Sequence, residues 1–219
     1  MTRDVGEASQ RGISDSSPFV IGLTGPIASG KSTVAELLRQ RGAEVIDADR
    51  VYRSLLQPRS ELWRRIVERF GSGIVRSDGE IDRAELGGVV FADPEALADL
   101  DRITHPAVVA EVRTRIGRSH APLIVLEAVK LVQSGLASDV DALWFVNADS
   151  ETRLRRLMSR SGLDEASARA RIAAAPDTVP EGVDVGATID NSGDLASTAA
   201  AIEDALQAVW PNPARRKHK

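Results

Sequence analysis

The sequence predicts an α/β fold: a central parallel sheet of five strands, with a helical insertion and a further helical segment after the fourth strand. Three observations carry this expectation. Short apolar runs recur between helical stretches, at "PFVIGLT", "AEVID", "PLIVLE" and "ALWFVNAD", and "ATIDNSGD" reads as a short fifth strand and a turn. The first run leads directly into "GPIASGKST", a glycine-rich turn followed by helical spacing. Strand, helix and strand in immediate succession call for a right-handed crossover and hence a parallel sheet.

Each element follows in order. Phe19 to Thr24 reads as a buried strand, and Ser32 to Arg41 as a helix with Val34, Ala35, Leu37 and Leu38 on its apolar face and Gly42 as its stop. The second strand ends on Asp47, with Asp49 just beyond. From Arg50 to Arg118 the pattern turns helical. Leu62, Trp63, Ile66, Val67 and Phe70 mark one helix face, and "GSGIVRSDGEID" then breaks the chain. "DPEALADLDRIT" opens a helix at Asp-Pro, and "HPAVVAEVRTRI" predicts another that starts with Pro106 in its first turn. So long a helical stretch exceeds one crossover and predicts an inserted subdomain. "PLIVLE" is the third strand, ending on Glu127, and "ALWFVNAD" the fourth. Helices follow at Glu151 to Arg160 and Asp164 to Ala174, the latter carrying Arg169 and Arg171. A fifth strand and turn lead to a last helix from Leu195 toward Trp210.

Composition narrows the function classes. The 219 residues fit one large domain or a core with an insertion, and 42% hydrophobic residues can fill a sizeable interior. A net charge of -4 argues against a nucleic-acid partner. Without cysteine the chain has no disulfide, thiolate metal site or cysteine nucleophile. No apolar run reaches membrane-spanning length and the first residues lack a secretion signal, so a cytoplasmic protein with no membrane partner is expected.

Gly25, four intervening residues, then Gly30-Lys31-Ser32 match G-x-x-x-x-G-K-[ST]. The glycines let successive backbone N–H groups turn inward, and with the helix N-terminus they form an anion site. Ala28, Ser29 and Thr33 complete the loop, Lys31 places a charge between the β- and γ-phosphates of ATP, and the Ser32 hydroxyl suits Mg²⁺. Small size, inserted helices and an arginine-bearing segment point to a small-molecule P-loop kinase. Such an enzyme works by positioning and charge neutralisation. It needs a carboxylate at the acceptor hydroxyl, and Asp47 or Asp49 at a strand's carboxyl end can supply it. Either can instead cap the helix that follows.

"IGLTGPIASGKSTVAELLRQRGAEVIDADRV", "FGSGIVRSDGEIDRAELGGVVFADPEALADLDRITHP", "RLMSRSGLDEASARARI" and "TIDNSGD" together resemble the dephospho-coenzyme A kinase family. The middle segment is the most specific, because P-loop proteins in general lack it. The resemblance implies a nucleotide core at 19–49, 122–150 and 186–210, a coenzyme A-binding insertion at 50–121 and a lid at 151–185. Tails at 1–18 and 211–219 flank this 19–210 kinase domain. It also implies transfer of the ATP γ-phosphoryl group to the ribose 3′-hydroxyl of dephospho-coenzyme A, the last step of coenzyme A synthesis. A monomer or small homo-oligomer is expected. By position, Asp49 matches the acidic residue at the acceptor hydroxyl and Arg160 the lid arginine beside the transferring group. Asn191 matches the region against adenine, and His105 with Pro106 a pair in the substrate-binding helices. Asp47 adds an expected acceptor contact; Lys130, where the family has a leucine, can approach the substrate's phosphates, pair with Glu127 or remain a solvated lysine.

The chain departs from the family where Val129 replaces a proline, Lys130 a leucine and Gln133 a glutamate, where Ala175 stands for a glutamine, and where Val109 stands at a frequent arginine. A kinase of another nucleoside or sugar hydroxyl, or a nucleotide-binding module without turnover, are the alternative readings.

Overall fold

A computed structural model describes residues 17–129, 131–174, 178–179 and 182–209. Five strands, β1 (Phe19–Thr24), β2 (Glu44–Asp47), β3 (Leu123–Glu127), β4 (Ala142–Asn147) and β5 (Ala187–Asp190), form one sheet in the order β2-β3-β1-β4-β5. Every pairing is parallel. The period of two along β1 divides its side chains between the sheet's faces. Ile21 and Leu23 pack with Val125, Trp144 and Ile189 beneath α1 (Lys31–Arg39) and α8 (Leu195–Val209). Val20 packs on the other face with Ile124, Leu126 and Val51.

Between β2 and β3 lie α2 (Ala48–Leu55), α3 (Glu61–Phe70), α4 (Arg83–Ala92) and α5 (Pro94–Arg118). Leu62, Ile66, Ile74, Leu86 and Val90 share a separate apolar cluster there. The break at 71–82 is a tight excursion in which Val75 bridges Ile81 and the Trp63 indole donates to the Gly79 carbonyl at 2.9 Å. The expected short helices around His105 are in fact one. α5 enters at Asp93-Pro94, with the Asp93 carboxylate capping Glu95 N–H, and runs on through Pro106. Pro106 has no N–H for the carbonyl one turn back, a penalty of about 3 kcal/mol. Burial of Thr104 and Val112 on either side, and packing of α5 on α2, α3 and α4, hold the helix continuous. Along α4, Leu86 and Val90 are buried four residues apart, while Val89 and Phe91 stand exposed off that face.

After β4, α6 (Ser150–Ser161) and α7 (Glu165–Ala173) pair through Leu154, Leu157 and Ala168, and Ile27 and Ala28 of the glycine-rich loop pack on them. No helix among the described residues is long and apolar enough to cross a membrane.

Candidate active site

The carboxyl ends of β1, β2 and β3 converge, and the loop from Gly25 to Gly30 opens over them. Two glycines are fixed by contact as well as by φ. A Cβ at Gly25 (φ +148°) would stand 2.1 Å from the Val146 carbonyl oxygen, and one at Gly30 (φ +92°) 2.0 Å from Asn191 Nδ2. Gly30 caps α1 with no side-chain hydrogen bond, which leaves the first-turn N–H groups directed at the loop's concave side. Lys31 is 8% exposed, and its Nζ donates to the carbonyls of Gly25 (2.8 Å) and Pro26 (3.0 Å). Burial lowers its pKa, against the opposing pull of Glu127 and Asp49.

Beside the loop stands an acidic row. Asp47 and Glu127 are register partners at the sheet's edge. The Ser32 hydroxyl donates to Glu127 Oε1 at 2.9 Å. Burial raises the Glu127 pKa, with Asp47 and Asp49 adding to the rise while Ser32 and Lys31 oppose it. Asp47 is the N-cap of α2, accepting from Asp49 N–H (2.9 Å) and Arg50 N–H (3.1 Å). The capping role therefore falls to Asp47, and Asp49 stands exposed in the helix's first turn.

These groups share a cavity of about 700 Å³, which also receives Arg53, Arg156 and Arg160. Gly25, Ala28, Gly30, Lys31, Ser32, Thr33, Asp47, Asp49 and Arg160 thus meet around one space. Ser29 is buried behind it, and its hydroxyl has no hydrogen-bond partner among the described residues. Asn191, expected against adenine, is 3% exposed and braces the loop from behind. Its Nδ2 donates to the Ser29 carbonyl at 2.8 Å, while Thr198 donates to its Oδ1 at 2.9 Å. His105 lies away from this cavity, 3.3 Å from Asp101, and lines a second one of about 390 Å³. Lys130 and Ala175 lie outside the described residues. Val129 borders both cavities, and Gln133 the first.

Three charged residues that line this cavity escaped the sequence reading. Glu127 carried a usable signal, since it ends a strand next to the one that ends on Asp47. Arg156 precedes Arg160 by one helical turn and donates to the carbonyls of Asn191 (2.9 Å) and Ser29 (3.3 Å). Arg53 had no local signal, because only the docking of α2 brings it in.

The family model described as dephospho-CoA kinase matches residues 19–197. The chain belongs to the dephospho-CoA kinase family. It is 45% identical over 193 residues to the dephospho-CoA kinase of Symbiobacterium thermophilum, covering 87% of this chain and 81% of that one. Identity to the Geobacter sulfurreducens dephospho-CoA kinase is 42%, over 87% and 96% of the two chains. A solved Thermus thermophilus structure superimposes with TM-score 0.74 at 33% identity, over 90% of this chain and all of the other (100%). The Campylobacter jejuni dephospho-CoA kinase shares the fold, with TM-score 0.58 at 24% identity over 86% and 95%. The loop, the acidic row and the arginines of α6 are thus set in a dephospho-CoA kinase scaffold.

Proposed function

We propose that this chain phosphorylates the ribose 3′-hydroxyl of dephospho-CoA with ATP, giving CoA and ADP. One observation carries the reading: Asp49 lines both the charged cavity and the apolar one beside it. A carboxylate at that junction stands between a triphosphate on the loop and an acceptor on the helical side. The 3′-oxygen attacks the γ-phosphorus, the bond to the β,γ-bridging oxygen breaks, and ADP leaves with that electron pair. The hydroxyl proton passes to the Asp49 carboxylate.

The chain's other groups serve positioning and charge. Loop N–H groups and Lys31 hold the phosphates, and Arg160 neutralises charge on the transferring group. Asp47 fixes the first turn of α2 and so aims Asp49. The helical segment 50–121 takes the acceptor, with His105 on its cavity wall, and the segment 151–185 closes over the nucleotide. Ser32 with Glu127 offers a hydroxyl and a carboxylate, oxygen donors that fit Mg²⁺. Among the described residues no group of three or more His, Cys, Asp or Glu is arranged to hold a metal. Mg²⁺ keeps most of its water and takes few protein ligands, so this sparse donor set suits it. Bound there, it would neutralise phosphate charge.

The test is Asp49→Asn. Loss of the base should lower kcat on dephospho-CoA by about 10²–10⁴-fold while ATP affinity stays within about threefold. Mass measurement of the product identifies CoA. Normal turnover by Asp49→Asn would remove that residue from the chemistry. A panel of other nucleoside and sugar acceptors that outperformed dephospho-CoA in kcat/KM would overturn the substrate.

A further inference from the structure

The second cavity is built unlike the first. Its walls are largely apolar, including Tyr52, Leu97, Leu100 and Val108, and its few polar side chains include the carboxylates of Asp49 and Asp101. Four large apolar side chains stand exposed among the described residues: Val89, Phe91, Val129 and Leu195. Two of them, Phe91 and Val129, border this cavity. Phe91 is 84% exposed although the preceding Val90 is buried at 3%. The backbone is therefore anchored where the ring is left uncovered. The ring lies over Gly87, where a Cβ would come within 3.4 Å of it, and nothing lies within 4 Å of a Cβ at Gly88. Paired glycines inside a helix weaken it locally, so the last turn of α4 can shift with little loss.

We propose that Phe91 is a specificity-determining residue for the acceptor, its ring closing on the purine base held in this cavity. The inference rests on the function proposed above. If the reacting ribose hydroxyl meets Asp49 at the junction, the base on that same ribose is the nearest flat apolar group of the acceptor. The acceptor's diphosphate finds little to bind it here: the walls are mostly apolar, Asp49 would repel it, and His105, the one basic side chain among the described lining residues, is engaged with Asp101 at 3.3 Å. A flat ring system with an uncovered phenyl at its mouth gains from stacking.

Two measurements test this. In steady state at saturating ATP, Phe91→Ala should raise the KM for dephospho-CoA roughly 5- to 100-fold, the range expected for loss of one stacked base. The kcat should stay within about threefold, and Phe91→Tyr should restore the wild-type KM. Separately, adenosine is titrated calorimetrically into protein saturated with a non-hydrolysable ATP analogue, which needs no turnover. Its Kd should weaken in Phe91→Ala by the same factor as KM. An unchanged KM, or adenosine that fails to bind the wild type or binds both proteins alike, would overturn the proposal. Wild-type protein that binds adenosine through Phe91 but makes no CoA would overturn the proposed function and leave the base site standing.

Discussion

The two cavities that meet at Asp49 are made of different materials. The side proposed for the nucleotide is backbone and charge: a loop continuous from Gly25 to Gly30, the first turn of α1, and lysine, arginine and carboxylate side chains around it. The helical side is side-chain surface collected from α2, α4, α5 and the turn after β3. A triphosphate can be held by amides that any sequence possesses, provided the chain curls correctly. A base needs shaped apolar walls, which only particular residues at distant positions can supply. Substitutions on the nucleotide side should therefore act on chemistry and loop geometry, and those on the helical side on acceptor affinity.

The largest effect among the remaining tests is expected at Arg160, on the exposed face of α6 and at the edge of the charged cavity. Its charge is needed most when the phosphoryl group is between oxygens, so Arg160→Ala should lower kcat by about 10²–10³-fold. ATP affinity should change by less than about threefold, and acceptor KM not at all. Single-turnover rates with separate nucleotide titration make the distinction. Parallel losses in kcat and ATP affinity would make Arg160 a binding residue, and a risen acceptor KM would blur the boundary between the cavities.

Glu127→Gln comes next and tests the charged side through pH. Burial raises the Glu127 pKa above its unfolded value, so the folded protein holds this proton more tightly than the unfolded chain. Stability from this group is therefore present at low pH and is lost as pH rises from the ordinary glutamate range through the raised folded value. Glutamine keeps an acceptor for the Ser32 hydroxyl and removes the buried charge. The variant should be more heat-stable than the wild type at pH 7, and that gain should vanish as the pH falls to ordinary carboxylate values. Activity should fall at all pH values if Glu127 helps hold Mg²⁺, with a higher magnesium requirement. Thermal denaturation across pH 4–8 checks the first part, and a magnesium titration the second. A variant less stable at pH 7 would show that the carboxylate is compensated in place.

What the sequence disclosed follows the same division. The phosphate loop was legible because its residues must be contiguous: Gly25 and Gly30 are demanded by positive φ and by contact with Val146 and Asn191. The inner strands β1, β3 and β4 were legible because a sheet covered on both faces requires near-continuous apolar runs, whereas the edge strands β2 and β5 are short and carry polar residues. The resemblance favoured Asp49 over Asp47, but residue type alone fits either to a cap, and only the geometry shows that Asp47 accepts from the N–H groups of Asp49 and Arg50. The brace formed by Asn191 joins residues 162 positions apart and has no local signature. Pro106 misled, because a proline that normally opens a helix is here held inside one by packing on both sides. Phe91 was hidden for the opposite reason: an aromatic residue beside a buried valine reads as core until its exposure is known.

The smallest effect is expected at Ala28, a non-glycine residue with φ +61° whose side chain packs against α6 and α7. The left-handed conformation costs an alanine about 1–2 kcal/mol. Glycine relieves that strain but loses a methyl contact of about 0.8 kcal/mol and gains unfolded-state freedom of about 0.4–1 kcal/mol. The contributions nearly cancel, so Ala28→Gly should change stability by less than about 1 kcal/mol. A β-branched side chain is far less compatible with positive φ, and Ala28→Val should cost about 2 kcal/mol and weaken ATP binding. Chemical denaturation of the pair, with ATP titration of each, decides the matter. If the loop is specified by its backbone path, glycine passes and valine fails; if both pass equally, the path is not what holds the nucleotide, and the contrast between the two cavities loses its physical basis.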